Sequence, residues 1–450
     1  MKKWIILGLI IGLFSVVNSE AQMKKRVKST AKESTTRKAE KTVDQSINAA
    51  ADGLINGVKG AFKKKDKKVA KKGSKVEQPS SPTQSEESPS QKNSLDRYAK
   101  FSFIQGEEII VYDDFSQDQL GDLPAAWIST GSAEIVSFEG LEGNWVWFNK
   151  TSGNFVPTYL DNFPENFTLE FDLMYEFEFD QYSFSRSLML VFTDIANPES
   201  KLDWNGGGDY FNLQKLSANY FGLLFNAASA NGGPYITGRK AVSANRSLNF
   251  STDFKANKYI NKDLVTEPLH ISIARMGRRV QVFVNEEKVL DLTNAFEKEV
   301  KLTSARFFVN NYTEQDNYYL SNIRLAVGKP DPRSKLLDAG TFTTSAITFR
   351  SGSAEIQPES YGILKEIAAA LAQEPTRKVQ IIGHTDSDGS DQLNMKLSKE
   401  RALAVMAALK ETFNTQNPME VDGKGEAEPL ADNNSAAGKA NNRRVEFILK

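Results

Sequence analysis

Two periodicities divide this chain. Across residues 100–328, apolar and polar positions alternate in short runs separated by Gly/Asn/Asp/Ser clusters. Phe167, Leu169, Phe171, Leu173, Tyr175 and Phe177 interleave with Thr168, Glu170, Asp172, Met174 and Glu176. Val280, Val282 and Val284 alternate across Arg279, Gln281 and Phe283, then Asn285-Glu286-Glu287 turns the chain into Val289-Leu290-Asp291-Leu292. Ile271 and Ile273 precede on the same pattern. Successive strand side chains point to opposite faces, so period two with regular turns predicts an all-β antiparallel sandwich.

After a linker at 329–335, residues 336–450 switch to alternating strand and helix. Ala346-Ile347-Thr348-Phe349 reads as a strand. Pro358 opens a helix that buries Ile363, Leu364, Ile367, Ala368 and Leu371, because proline is favourable in the first helical turn. Val379, Ile381 and Ile382 mark the next strand, residues 393–413 a second helix, and 419–422 and 445–449 the last strands. The expectation is an α/β sandwich with helices covering one sheet.

The N-terminal 99 residues belong to neither regime. Lys2-Lys3, the apolar stretch 4–17 and Ser19-Glu20-Ala21 read as a signal peptide over 1–21. An uncleaved anchor is the alternative, but the apolar run is short for a span. Residues 22–77 form a basic arm with 17 Lys/Arg against 6 Asp/Glu. Within it Val43, Ile47, Ala50, Ala51, Leu54, Ile55, Val58 and Phe62 make one apolar stripe, an amphipathic helix over about 43–62. Gly53, Gly57 and Gly60 weaken it by roughly 1 kcal/mol each relative to alanine. The lysine cluster that follows fits an anionic membrane surface or a solvated tether. Residues 78–99 are a Ser/Pro-rich linker.

Composition changes this picture little. With 450 residues, two or three domains are expected, and 40% apolar with 25% charged residues is ordinary for a globular chain. A net charge of -1 conceals a basic arm ahead of an acidic remainder. There is no cysteine, which removes disulfides, cysteine metal sites and a lipid-modified N-terminal cysteine.

The chemistry concentrates in Ile382-Gly383-His384-Thr385-Asp386-Ser387-Asp388-Gly389. Arg401 follows Asp386 by fifteen residues, within Leu397-Ser398-Lys399-Glu400-Arg401-Ala402. The spacing puts a carboxylate on a loop and a guanidinium on the next helix. Asn394 lies seven residues before Arg401, two helical turns away on the same face. Gly389 permits a tight bend that turns backbone N–H groups outward. An anion and a cation so placed grip a zwitterionic head group, arginine pairing the carboxylate bidentately. The bland alternative is a salt bridge fixing loop to helix.

Together with Asn441-Asn442-Arg443-Arg444-Val445-Glu446-Phe447, these motifs resemble the OmpA-like peptidoglycan-binding domain over 336–450. The resemblance implies a noncovalent site for the diaminopimelate of a peptidoglycan stem peptide. Asp386 and Arg401 would hold its head group, Thr385 would belong to the motif, Asn394 would help, and Arg444 would line the same cleft. It implies no metal or other cofactor, so His384 is expected to be packed or hydrogen-bonded.

Tyr112-Asp113-Asp114-Phe115 with Leu120-Gly121-Asp122-Leu123-Pro124 and Trp127, and the closing Tyr319-Leu320-Ser321-Asn322-Ile323-Arg324, resemble the ends of a concanavalin A-like or LamG-like jelly roll. Glu170, Asp172 and Glu176 share one strand face, which suits either a solvated face or a glycan-active hydrolase. Trp145, Trp147 or Trp204, if exposed, would stack on sugar rings. Asp203 and Asp209 flank a glycine run without a recognisable calcium pattern. His270 reads as a rim or core residue. The favoured reading is a non-catalytic envelope protein of a Gram-negative periplasm, associated with outer membrane and wall. Its partners would be peptidoglycan, and a glycan or envelope protein at the sandwich, not nucleic acid. The alternatives are a wall-targeted hydrolase and an outer-membrane β-barrel porin.

Overall fold

The computed structural model describes residues 102–450 except 142, 149–152, 177–186, 196–218, 227–234, 242–246, 252–267, 286, 297–299, 311–316 and 330. The expected signal peptide, basic arm with its amphipathic helix, and linker therefore lie outside the described residues, as do Trp204, Asp203 and Asp209.

Sixteen strands are described before residue 328. In chain order they are β1 (Glu108–Asp113), β2 (Trp127–Ser129), β3 (Ala133–Ser137), β4 (Asn144–Phe148), β5 (Gly153–Pro157), β6 (Asp161–Phe163), β7 (Asn166–Glu176) and β8 (Ser187–Thr193). They continue with β9 (Tyr220–Asn226), β10 (Tyr235–Ala241), β11 (Ser247–Ser251), β12 (Leu269–Met276), β13 (Arg279–Val284), β14 (Glu287–Leu292), β15 (Leu302–Asn310) and β16 (Asn317–Val327). One sheet has the order β14-β13-β12-β7-β16-β4-β3, with β1 added on β16. The other runs β11-β10-β9-β8-β15-β5-β2, with β6 on β15.

The expected alternation sets the core. Phe167, Leu169, Phe171, Leu173 and Tyr175 of β7 face Leu188, Leu190, Phe192, Phe221 and Phe307 of the second sheet in one apolar cluster. Trp127 joins it, its ring stacked 6.0 Å from that of Phe307. The described strands thus form two sheets packed on a shared core rather than one closed sheet around a lumen, which corrects the barrel alternative. Among the described residues no helix is long and apolar enough to cross a membrane.

Residues beyond 331 build a four-stranded sheet of order β17-β20-β18-β19, from β17 (Thr341–Thr344), β18 (Val379–Gly383), β19 (Met419–Gly423) and β20 (Val445–Leu449). Four helices accompany it: α1 (Pro332–Leu337), α2 (Tyr361–Leu371), α3 (Asp391–Glu411) and α4 (Ala436–Asn442). Ile363, Leu364, Ile367 and Leu371 of α2 pack with Val379, Ile381, Val405 and Phe447. Two expectations need correction. The strand lies at Thr341–Thr344, not at Ala346–Phe349. Phe342 pairs in register with Phe447, whereas Phe349 makes only an isolated bridge to Ile356. The stretch read as a linker, 329–335, runs into α1, whose Asp331 cap and buried Leu336 tie it to the C-terminal core.

The described residues belong to one compact unit, and a short strap joins its two parts. Phe103 packs on Phe283 and Ala274, on the outer face of the first sheet. Ile104 packs instead against the C-terminal core. A Cβ at Gly362 would fall 1.8 Å from the Phe103 carbonyl oxygen, so α2 approaches the strap as closely as a glycine allows. The Asn441 side chain accepts from the Ile109 N–H at 3.1 Å and donates to the Ile109 carbonyl at 2.7 Å, clamping α4 to β1.

Gly383 and Gly423 pair across β18 and β19, and Ser398 of α3 sits over both. A Cβ on Gly383 would lie 2.0 Å from the Ser398 carbonyl oxygen. Gly383→Ala should therefore lift α3 from the sheet and destabilise the protein by about 1–3 kcal/mol. The urea midpoint measures this, and an unchanged midpoint would contradict the close-approach argument.

Candidate functional site

Strand β18 ends at Gly383, and the loop it releases is folded by its own hydrogen bonds. The Thr385 N–H donates to Gly425 O at 2.9 Å, the Ser387 N–H to Asn433 Oδ1 at 3.3 Å, and the Asp388 N–H to Asp386 Oδ1 at 3.1 Å. These three N–H groups are used internally and are not outward donors. Gly389, at φ 103°, makes the bend into α3. Ser390 then caps the helix by accepting from the Leu393 N–H.

Asn394 of α3 reaches back under this loop. Its amide donates to Asp386 O at 3.3 Å and Asp388 O at 3.0 Å, and it also bonds Glu426. The side chain thus fixes the shape of the loop. Thr385 is buried and its Oγ1 has no hydrogen-bond partner.

Asp386 and Arg401 both line one cleft and both are buried, at 7% exposure each, yet they do not pair with each other. Asp386 Oδ2 accepts from Arg443 Nη1 at 2.6 Å. Arg401 donates its Nε to Ser353 O at 3.0 Å, and its guanidinium lies 4.9 Å from the Phe349 ring centroid. No carboxylate forms an ion pair with Arg401 among the described residues. Burial, and secondarily Arg443, push its pKa down to about 10. The salt bridge that sequence allowed between loop and helix is therefore made by Arg443, a residue the motif reading passed over in favour of its neighbour. Arg444 also lines the cleft, but its guanidinium donates to Asn442 O at 3.3 Å and Glu428 O at 2.8 Å. The buried His384 also borders the cleft, with Nε2 3.5 Å from Glu446.

The other wall of the cleft comes from the sandwich. Glu170 and Asp172 of β7, His270 of β12, and Asn322 and Arg324 of β16 line it. His270 stands between the two carboxylates, Nδ1 2.7 Å from Asp172 Oδ1 and Nε2 3.2 Å from Glu170 Oε2. Burial alone would lower the His270 pKa, but the bonds to Asp172 and Glu170 prevail and hold it well above its ordinary value. Asn322 donates to Asp172 Oδ2 at 2.7 Å and lies 3.3 Å from the Tyr112 hydroxyl. The carboxylates are thus not a solvated strand face, and Glu170 is 1% exposed. Glu176 stands apart, bonded to Tyr319 and Asn317. Trp145 is buried against Phe138, Met174 and Tyr319, which corrects its reading as an exposed sugar platform, while the Trp147 indole N–H donates to Asn317. The cleft volume is about 860 Å³.

Residues 348–443 match the sequence model of the OmpA family. The chain is 42% identical over 103 residues to the probable lipoprotein YiaD of Escherichia coli (strain K12), covering 23% of this chain and 47% of that protein. It is 35% identical over 107 residues to the peptidoglycan-binding protein ArfA of Mycobacterium tuberculosis (strain ATCC 25618 / H37Rv), covering 24% and 33%. Among solved structures, the peptidoglycan-associated lipoprotein from Burkholderia pseudomallei is similar at 28% identity, with 27% of this chain and 100% of that chain covered and a TM-score of 0.23. The chain spans less than two thirds of the length of the curated relatives it matches most strongly, at 47%, 32% and 63%.

The environment of His384 yields a stability prediction. Burial, with Arg444 close by, lowers its pKa from 6.5 to about 4. The unfolded chain therefore takes up the proton first, and stability falls as pH drops from about 6.5 towards 4, by up to about 1.4 kcal/mol per pH unit. His384→Gln should flatten that slope in urea titrations at pH 7, 5.5 and 4.5. An equally steep slope in the variant would contradict this assignment.

Proposed function

We propose that this chain, which ends in an OmpA family domain, is a non-catalytic cell-envelope protein that binds peptidoglycan through that domain. The observation that carries the reading is Arg401, a buried cation that faces a cleft and has no carboxylate partner among the described residues. Such a charge is costly unless an anion meets it, and a ligand carboxylate supplies one bidentately. Asp386 stands ready for the ammonium of the same head group. Its two oxygens take one bond each from Asp388 and Arg443, and a carboxylate has about four lone-pair directions. Arg443, a third exposed, occupies one direction on Asp386 Oδ2 and leaves the others open to the ammonium. The ligand is the diaminopimelate of a stem peptide, a zwitterionic head group that matches this pair in charge and order. A relative named as peptidoglycan-binding supports the assignment.

In this reading Asn394 shapes the loop, Thr385 offers its unpartnered hydroxyl to the ligand, and Arg444 braces the cleft from behind through backbone carbonyls. The sandwich, read as a concanavalin A-like jelly roll, presents a surface for a glycan or an envelope protein. The basic arm contacts an anionic membrane surface. The protein works in a Gram-negative periplasm, between outer membrane and wall. A hydrolase is less well supported, since one imidazole ring engages both Glu170 and Asp172.

Asp386→Ala and Arg401→Ala should each weaken sedimentation with purified peptidoglycan at least thirtyfold, roughly 2 kcal/mol, without altering the circular dichroism spectrum. Full retention of wall binding by both variants would overturn the reading.

A further inference from the structure

The cleft is larger than the ligand assigned to it. About 860 Å³ lies in the upper part of the range for pockets that enclose drug-sized molecules, well beyond one amino-acid head group. Its second wall carries a side chain without a full set of partners. Glu170 lines the cleft at 1% exposure, and its Oε1 has no hydrogen-bond partner. Its Oε2 faces His270, which Asp172 holds from the other side. Asp172 and His270 are more open, with 19% and 25% of their side-chain surfaces exposed.

Hydrogen bonding between the domains does not account for this group, and its one charged neighbour from the C-terminal domain is Glu359, which attracts His270 and Arg324 without bonding them. The domains are clamped elsewhere, by Phe103 and Ile104 and by Asn441 on Ile109. Among the described residues, none of the hydrogen bonds of Glu170, Asp172 and His270 reaches the C-terminal domain. The group is nonetheless connected to the head-group site. Asn322 bonds both Asp172 and the Tyr112 hydroxyl, and the Tyr112 ring lies 5.3 Å from the guanidinium carbon of Arg443, which holds Asp386.

We propose that the site is composite: the sandwich is its second wall, and Glu170, positioned by His270 and Asp172, accepts hydrogen bonds from neutral donors of the ligand beyond its amino-acid head group. The inference rests on the reading of Asp386 and Arg401 given above. The donors are neutral because the cleft as a whole is already charge-matched. Asp114, Glu170, Asp172, Glu359, Asp386 and Asp388 line it against five arginines and His270, so a second ammonium would meet cations as well as anions. Peptide N–H groups and sugar hydroxyls both supply such donors.

Calorimetric titration of the full chain with three probes tests this: free diaminopimelate, a stem tetrapeptide containing it, and the disaccharide tetrapeptide. Glu170→Gln preserves shape but turns an N–H₂ towards the cleft once its oxygen faces His270, and Asp172→Asn disturbs the same group from a more open position. Both variants should bind free diaminopimelate within about twofold of wild type and the larger probes about tenfold more weakly. Weakening already at the tetrapeptide assigns the donors to peptide amides; weakening only at the disaccharide tetrapeptide assigns them to sugar hydroxyls. Arg401→Ala should lose all three probes. If Arg401→Ala loses them while both sandwich variants bind every probe as wild type does, the composite wall is wrong and the head-group reading stands. Equal weakening of free diaminopimelate by the sandwich variants also overturns the proposal. Wild-type binding by Arg401→Ala removes the head-group reading and this inference with it. Should Glu170→Gln lower the melting temperature enough to empty the site, Asp172→Asn decides the matter alone.

Discussion

Arg443 carries a charge that two parts of the molecule must satisfy together. Its Nη1 lies 2.6 Å from Asp386 Oδ2, and its guanidinium carbon lies 5.3 Å from the Tyr112 ring centroid. The guanidinium carbon of Arg324 lies at the same distance from that ring, so two cations share one aromatic ring. Each needs an anion of its own: Asp386 serves Arg443, and Glu170 attracts Arg324, whose Nη1 also donates to Gln105. Both guanidiniums are part-exposed, so losing one partner costs less here than it would in a sealed core. The Tyr112 ring is therefore where the charges of the head-group site and those of the sandwich wall meet.

Backbone sterics fix the remaining coordinate, the height of Arg401 above the sheet. Adjacent glycines on β18 and β19 leave a slot, and Ser398 fills it while its hydroxyl accepts the Gly425 N–H at 2.9 Å. Arg401 follows Ser398 by just under one helical turn, so it comes down on the same side and meets the Phe349 ring and the Ser353 carbonyl. Asn394 lies about one turn on the other side of Ser398 and ties the loop. One close contact thus sets the spacing that the motif displays as fifteen residues from Asp386 to Arg401.

Much of this was legible in the sequence where a single element carries the signal. The alternation of β7 named its core residues, and the strand–loop–helix motif named Asp386, Asn394 and Arg401 with their elements. Arg443 was not legible, because two adjacent arginines follow the short helix α4, both line the cleft, and only packing decides which one meets Asp386. Helix α4 itself, Ala-Ala-Gly-Lys-Ala-Asn-Asn, has no apolar stripe and is held by the Ser435 cap and by Asn441 on β1. The His270 cluster was hidden for another reason. Its members are 98 and 100 residues apart in sequence, and a polar strand face gives the same pattern whether water or another domain covers it.

The outer face of the first sheet shows what that pattern conceals. Near Phe103 it is apolar, with Phe283 and Ala274 buried beneath the strap, and there contact between domains is the whole requirement. Along the same face it becomes Glu170, Asp172, His270, Asn322 and Arg324 where the cleft opens. Asn322 even holds a left-handed backbone, φ 53°, at a bulge in β16 that aims its amide at Asp172. A buried charge cluster stabilises less than apolar packing of equal volume, so the attraction of Glu359 of the C-terminal domain for His270 and Arg324 does not by itself favour such a face for docking. The change coincides with the cleft, and a polar ligand lying between the two walls is the physical condition under which such a face is worth its desolvation.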